Sequence, residues 1–300
     1  MALEKTLPLL FIFFVGLGLK RMNVLKKEHA PMISQLILKI ALPSAIISSL
    51  SSMEISPKLL LLPVSGIAIV TILLGIGFIL APLMGLQGKT RGAFLMAFPT
   101  LELGSVGNAF MLAVYGPDGL AQIALLDLGN SFFFFTVVAF LARAFGRSTE
   151  RFRLSSALLS FAMTPVIWAY AIGIGFNLLH IHIAMLSNLF ASLAQALLLL
   201  IMLLIAVEFE LKPSPMMRSI LAMYFKLALG VIVGLGVCLI FGFTGMTRVA
   251  VVLGASLPSS LMTVVYARKN ALDAQFLASQ LSLALPVAIG FSSVLLSLTH

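Results

Sequence analysis

The sequence predicts an all-α integral membrane protein: ten transmembrane helices in two inverted five-helix repeats, with helices 4 and 9 broken and crossed. Three observations carry this expectation. Of the 300 residues, 61% are apolar and 10% charged, with a mean hydropathy of +1.14, whereas a soluble domain carries about 25% charged residues. Apolar runs of roughly twenty residues, each able to cross ~30 Å of hydrocarbon, recur along the whole chain. A breaker-rich segment, Gly104–Tyr115 (GSVGNAFMLAVY), returns half a chain later as Ala255–Tyr266 (ASLPSSLMTVVY). Strands of a membrane barrel would be shorter and alternating.

The runs fall at about 5–20, 32–52, 58–84, 92–115, 119–142, 156–179, 184–207, 219–243, 247–267 and 274–298. The first ends in Lys20-Arg21 without a small-residue cleavage site, so it reads as a retained span rather than a signal peptide. The second contains LPSAIISSLSS, which reads equally as a kinked, partly polar wall or as ordinary serine packing. The fourth holds Pro99, Gly104 and Gly107, and the ninth holds Gly254 and Pro258. Glu208 and Glu210 close the seventh and read as interfacial. Lys39 and Lys226 lie within spans, close enough to one side to snorkel.

Charge sets the orientation. Loops 1–2, 3–4, 5–6, 7–8 and 9–10 carry fourteen Lys and Arg residues, whereas the opposite side, with both termini, carries Lys5, Lys58 and Arg248. The positive-inside rule puts the first side in the cytoplasm and both termini outside a plasma (inner) membrane. The +9 net charge is then a topology signal, with membrane lipid as a secondary contact and no role for nucleic acid. Cys238 is the one cysteine, so no intramolecular disulfide and no thiol metal cluster is expected, and no cofactor. Enzymatic activity is not expected either. One deep Asp and no midplane His provide neither an aspartyl dyad nor a Ser–His pair. A phosphate-binding loop is missing from the sequence as well.

At an offset of 151 residues, Ser105/Ser256, Met111/Met262, Val114/Val265 and Tyr115/Tyr266 coincide, and Pro258 falls opposite Gly107. Two residues further on in register, Asp127 falls opposite Gln280. Five spans per half invert the second half, which is the usual build of secondary transporters, with the site at the midplane between broken helices. The expected repeats are 1–147 and 148–300. The expected breaks lie near Gly104–Asn108 and Ser256–Ser260.

Two acids lie deep. Glu102 sits about ten residues from either end of its run. A charged, unpaired carboxylate there costs roughly 2.5 kcal/mol or more, which marks a functional site; a structural carboxyl bonded to frayed backbone is the alternative. Asp127 shares a helix face with Asn130 and Ser131, a set that can orient a carboxylate, complete an ion's ligands or simply join helices. With the breakers, the candidate binding residues are Glu102, Gly104, Ser105, Gly107, Asn108, Asp127, Asn130, Ser256, Pro258, Ser259, Ser260 and Gln280.

Four segments together resemble the auxin efflux carrier family of permeases, in a bacterial form: LPSAIISSL in span 2, the Gly104–Gly107 segment ending at Tyr115-Gly116, LLDLGNSFFFF in span 5, and ASLPSSLMTVVYARKNALD in span 9. The resemblance covers essentially the whole chain. It implies a core of spans 3–5 and 8–10 moving against a panel of spans 1, 2, 6 and 7, with spans 4 and 9 crossing near the midplane. It further implies transport of small organic anions such as carboxylates. The loop GRSTERFR between spans 5 and 6 is too short for phosphoregulation. The expected partners are the anion, a proton or a sodium ion, and lipid; a homodimer is one arrangement such a chain can adopt. A ligand sensor that moves nothing is the rival from another class.

Overall fold

In a computed structural model the described residues are 2–54, 56–146, 152–181, 183–209 and 217–298, and all their regular structure is helical. The α-helices are α1 (Ala2–Arg21), α2 (Ala30–Leu36), α3 (Leu42–Ser52), α4 (Leu62–Leu83), α5 (Gly88–Ala97), α6 (Asn108–Phe133), α7 (Ala139–Phe145), α8 (Leu154–Ala162), α9 (Pro165–Leu178), α10 (Ala184–Glu208), α11 (Met217–Phe241), α12 (Gly245–Ser256), α13 (Met262–Lys269) and α14 (Ala274–Leu298). Wider π-turns at Ile37–Ala41, Leu103–Gly107 and Phe134–Val138 run directly into α3, α6 and α7. The expected 147/148 boundary and Glu210 lie outside the described residues.

Five helical stretches of the described residues are long and apolar enough to cross a membrane, and six if α8 and α9, bent by 58°, count as one. Ten spans is a finer count than this. The expected fourth and ninth spans are split: α5, α12 and α13 have 10, 12 and 8 residues, and at 1.5 Å per residue none reaches ~30 Å alone. The expected fourth and fifth spans meet in the 43-residue stretch Leu103–Phe145. That stretch turns at Gly116, whose φ of 66° and ψ of −152° are open to glycine but strained for other residues.

Two sets of helices pack backbone to backbone. α4 lies on α6 and α11 lies on α12. A Cβ at Gly129 would stand 2.0 Å from Pro63 O, and one at Gly66 would stand 2.4 Å from Leu126 O. Across the second contact, a Cβ at Gly230 would lie 2.2 Å from Ala255 O. Without a hydrophobic driving force between them, membrane helices associate through the close packing that such small residues allow. Gly129→Ala is expected to destabilise by about 3 kcal/mol, because the opposing atom is rigid backbone. Gly75→Ala on α4, where a Cβ meets nothing within 4 Å, should leave the melting temperature of the purified protein unchanged or slightly raised. Equal melting of the two variants would discard this account of the α4–α6 contact.

Elsewhere, α3 packs on α9 and α10, and α10 on α1. Lys20 Nζ donates to Val207 O and Phe209 O, both at 2.6 Å, satisfying carbonyls left free where α10 ends. Asn177 Nδ2 donates to Leu50 O and Met53 O at the end of α3.

Two sequence expectations change. The 151-residue register pairs Ser105 with Ser256, yet Ser105 follows its break and Ser256 precedes its own. The helix starts, Gly88 for α5 and Gly245 for α12, lie 157 residues apart, and that spacing sets Asp127 opposite Ala284 instead of Gln280. Lys226 does not snorkel. Its side chain is 1% exposed and enclosed within the helices, because α11 turns that face to α4, α12 and α14.

Candidate functional site

The two unwound segments are Phe98–Glu102, between α5 and the turn leading to α6, and Leu257–Leu261, between α12 and α13. Each contains a proline, Pro99 or Pro258, which has no N–H to continue a helical ladder. The second break lies where the sequence places it. The first comes earlier than Gly104–Asn108, because Pro99 stops α5 and the glycines that follow stay helical. Leu103–Gly107 forms a π-turn, a feature concentrated at functional sites.

Breaking a helix in hydrocarbon leaves backbone groups to be satisfied, at several kcal/mol each if they are not. The two segments satisfy each other. Glu102 N–H donates to Pro258 O at 3.0 Å. Ser260 N–H donates to Thr100 Oγ1 at 3.0 Å, and that hydroxyl donates in turn to Ala97 O. Leu261 N–H donates to Glu102 Oε2 at 2.6 Å, while Ser105 Oγ donates to Glu102 Oε1 at 2.5 Å. The Glu102 carboxylate thus sits at the N-terminal end of α13, where free N–H groups and the helix dipole favour negative charge.

A second side chain holds the first break from behind. Asn130 Oδ1 accepts from Leu101 N–H at 3.1 Å, and Asn130 Nδ2 donates to Leu101 O at 3.2 Å and to Asp127 Oδ1 at 2.8 Å. Asn130 closes a two-way clasp on an unwound residue and orients Asp127. Asp127 Oδ2 faces Gly104, lying 3.9 Å from where a Cβ there would be.

The structure therefore brings together Glu102, Gly104, Ser105, Asp127, Asn130, Pro258 and Ser260. Asn108 Nδ2 donates to Gly104 O at 3.1 Å, and its buried Oδ1 has no partner. Ser259 Oγ in the second break is likewise buried without a partner. Gly107 serves packing: a Cβ there would stand 3.1 Å from Leu257 and 3.2 Å from Ile123. Ser256 Oγ donates to Leu253 O within its own helix. Gln280 is buried on α14, and no hydrogen bond links it to Asp127 among the described residues.

Thr100, Leu101 and Leu261 belong to this region and are absent from the candidates the sequence offers; Lys226 belongs to it too, where the sequence expects a snorkelling side chain. The signal for Thr100 is a hydroxyl directly after a mid-membrane proline. A cavity of about 510 Å³, in the range that holds small molecules, opens between α3, α6 and α10, one turn beyond Asn108, with Ser48, Ser49, Leu112 and Gln195 on its wall. A larger one, about 630 Å³ around Asn177 and His180, contains none of the predicted residues.

The family described as membrane transport protein matches residues 1–296. The chain belongs to this family of auxin efflux carrier-like permeases. It is similar to an uncharacterized transporter of Methanothermobacter thermautotrophicus, 26% identical over 281 residues that cover 92% of this chain and 91% of the relative. It is also similar to an uncharacterized transporter of Methanocaldococcus jannaschii, 24% identical over 286 residues, covering 93% and 92%. The permease is thus a multi-pass membrane protein whose similarity to these relatives runs along nearly its full length.

Proposed function

We propose that this permease is a secondary transporter that moves a small organic anion, of carboxylate type, by alternating access with a proton as coupling ion. The ten-span inverted repeat remains our reading of the architecture. α4–α7 and α11–α14 form the core, α1–α3 and α8–α10 the panel, and both termini lie outside the plasma membrane. The contact of the two unwound segments supports it.

The observation that carries the reading is the seat of Glu102. Its carboxylate occupies a helix N-terminus of the kind that binds anionic substrates in broken-helix carriers. A substrate carboxylate ~6 Å from a charged Glu102 would be repelled by about 3 kcal/mol at an effective dielectric near 20. That removes most of a millimolar affinity, worth about 4 kcal/mol. A proton on Glu102 ends the repulsion and weakens the hold on Leu261 N–H, freeing the helix end for the substrate. Anion and proton then load together. Asp127, oriented by Asn130, is the second candidate carrier of the proton.

Saturable counterflow in proteoliposomes separates a carrier from a sensor. Vesicles preloaded with one carboxylate should take up the labelled acid against its gradient. Binding without flux would identify a sensor. Dependence on sodium instead of a pH gradient would replace the proton in this scheme.

A further inference from the structure

Lys226 is the one Lys or Arg side chain that is fully buried among the described residues, and its Nζ has no hydrogen-bond partner. The Phe98 ring lies beneath it, with the centroid 5.7 Å from Nζ. The helices packed on α11 bring no counter-charge. α4 and α14 contain no Asp, Glu, Lys, Arg or His, and α12 contains Arg248 alone, at the end away from the break. On α11 itself the nearest ionisable neighbour is Tyr224, which is exposed.

The place is specific. Phe98 is the first unwound residue of one break. Gly230, one turn along from Lys226, touches Ala255 and Ser256, the last helical residues before the other. Lys226 therefore lies by the C-terminal ends of α5 and α12, where carbonyls are left free and the dipole is negative. In broken-helix carriers such ends draw the coupling cation. A buried ionisable side chain without a partner is expensive, so one retained inside a membrane marks function.

We propose that the Lys226 ammonium is a built-in cation of the crossing: from behind the two breaks it supplies the positive charge that a carboxylate bound in front of them requires, so that no sodium ion is needed. The inference rests on the anion reading above and adds to it the residue that answers the substrate's charge. Because Lys226 has no partner to lose, replacing it with an apolar side chain of similar length relieves a burial cost instead of breaking a bond.

The test measures binding of succinate and of phenylacetate to the purified protein, by calorimetry, in sodium and in choline buffer. The wild type should bind at least one of them equally in both buffers. Lys226→Met and Lys226→Gln should bind it about thirtyfold more weakly, the effect of one unit charge roughly 8 Å away at an effective dielectric near 20. Lys226→Met should melt at the same temperature as the wild type or higher. Unchanged affinity in both variants overturns the proposal, as does wild-type binding that requires sodium. Weaker binding accompanied by a lower melting temperature in both variants also overturns it, since that marks Lys226 as part of the packing. Failure of the wild type to bind either acid overturns the anion reading itself.

Discussion

Asn130→Leu should lower the stability of the protein by about 3–9 kcal/mol. The substitution keeps the branching and heavy-atom count of the side chain and removes every polar atom. Three buried groups then lose their partner at once: Leu101 N–H, Leu101 O and Asp127 Oδ1. Each orphaned group costs about 1–3 kcal/mol, and water cannot replace the amide at this depth. The measurement is thermal melting of the purified protein, where a fall of roughly 10 °C is expected. A fall of less than ~2 °C would mean that Leu101 finds other partners and that the clasp is incidental. Asn130→Asp should be damaging too, because it removes both donors and sets a second carboxylate against Asp127.

Glu102→Gln should abolish stimulation of uptake by a pH gradient while leaving counterflow exchange within a few-fold of the wild type. Gln keeps an oxygen to accept from Leu261 N–H, so the crossing stays joined, but it cannot gain or lose a proton. On the proposed mechanism a proton on Glu102 promotes loading of the anion, so uptake should rise as external pH falls from 8 to 5. In the Gln variant the profile should be flat. Asp127→Asn, measured in parallel, assigns the second acid. Full gradient-driven uptake by both variants would show that neither is the carrier and would leave Glu102 as a brace between the two breaks.

Pro99, Pro258 and Glu102 stand out in the sequence because each is costly in hydrocarbon, and cost is visible in one dimension. The partners that lower the cost are not. Thr100 meets Ser260 across 160 residues, and Asn130 meets Leu101 across 29. The direction of Lys226 was hidden for a related reason. A lipid-facing surface and a buried one are both apolar, so α11 shows no polar stripe from which its inward side can be read. Small residues recur throughout membrane helices, so a match of Ser, Met, Val and Tyr at 151 residues arises some six residues away from the 157-residue spacing of the helix starts.

The glycine contacts at Gly129 and Gly230 have a mechanical consequence. With main chains pressed together, α4 cannot slide along α6, nor α11 along α12, without main-chain atoms colliding. Shear between packed helices needs side chains that can trade positions, and none stand at these points. Any displacement that opens the crossing to one side must therefore carry α4 together with α6, and α11 together with α12. Spin-label distances within such a pair, from α4 to α6 for instance, would stay constant through a transport cycle, while those from α6 to α3 or α10 would change.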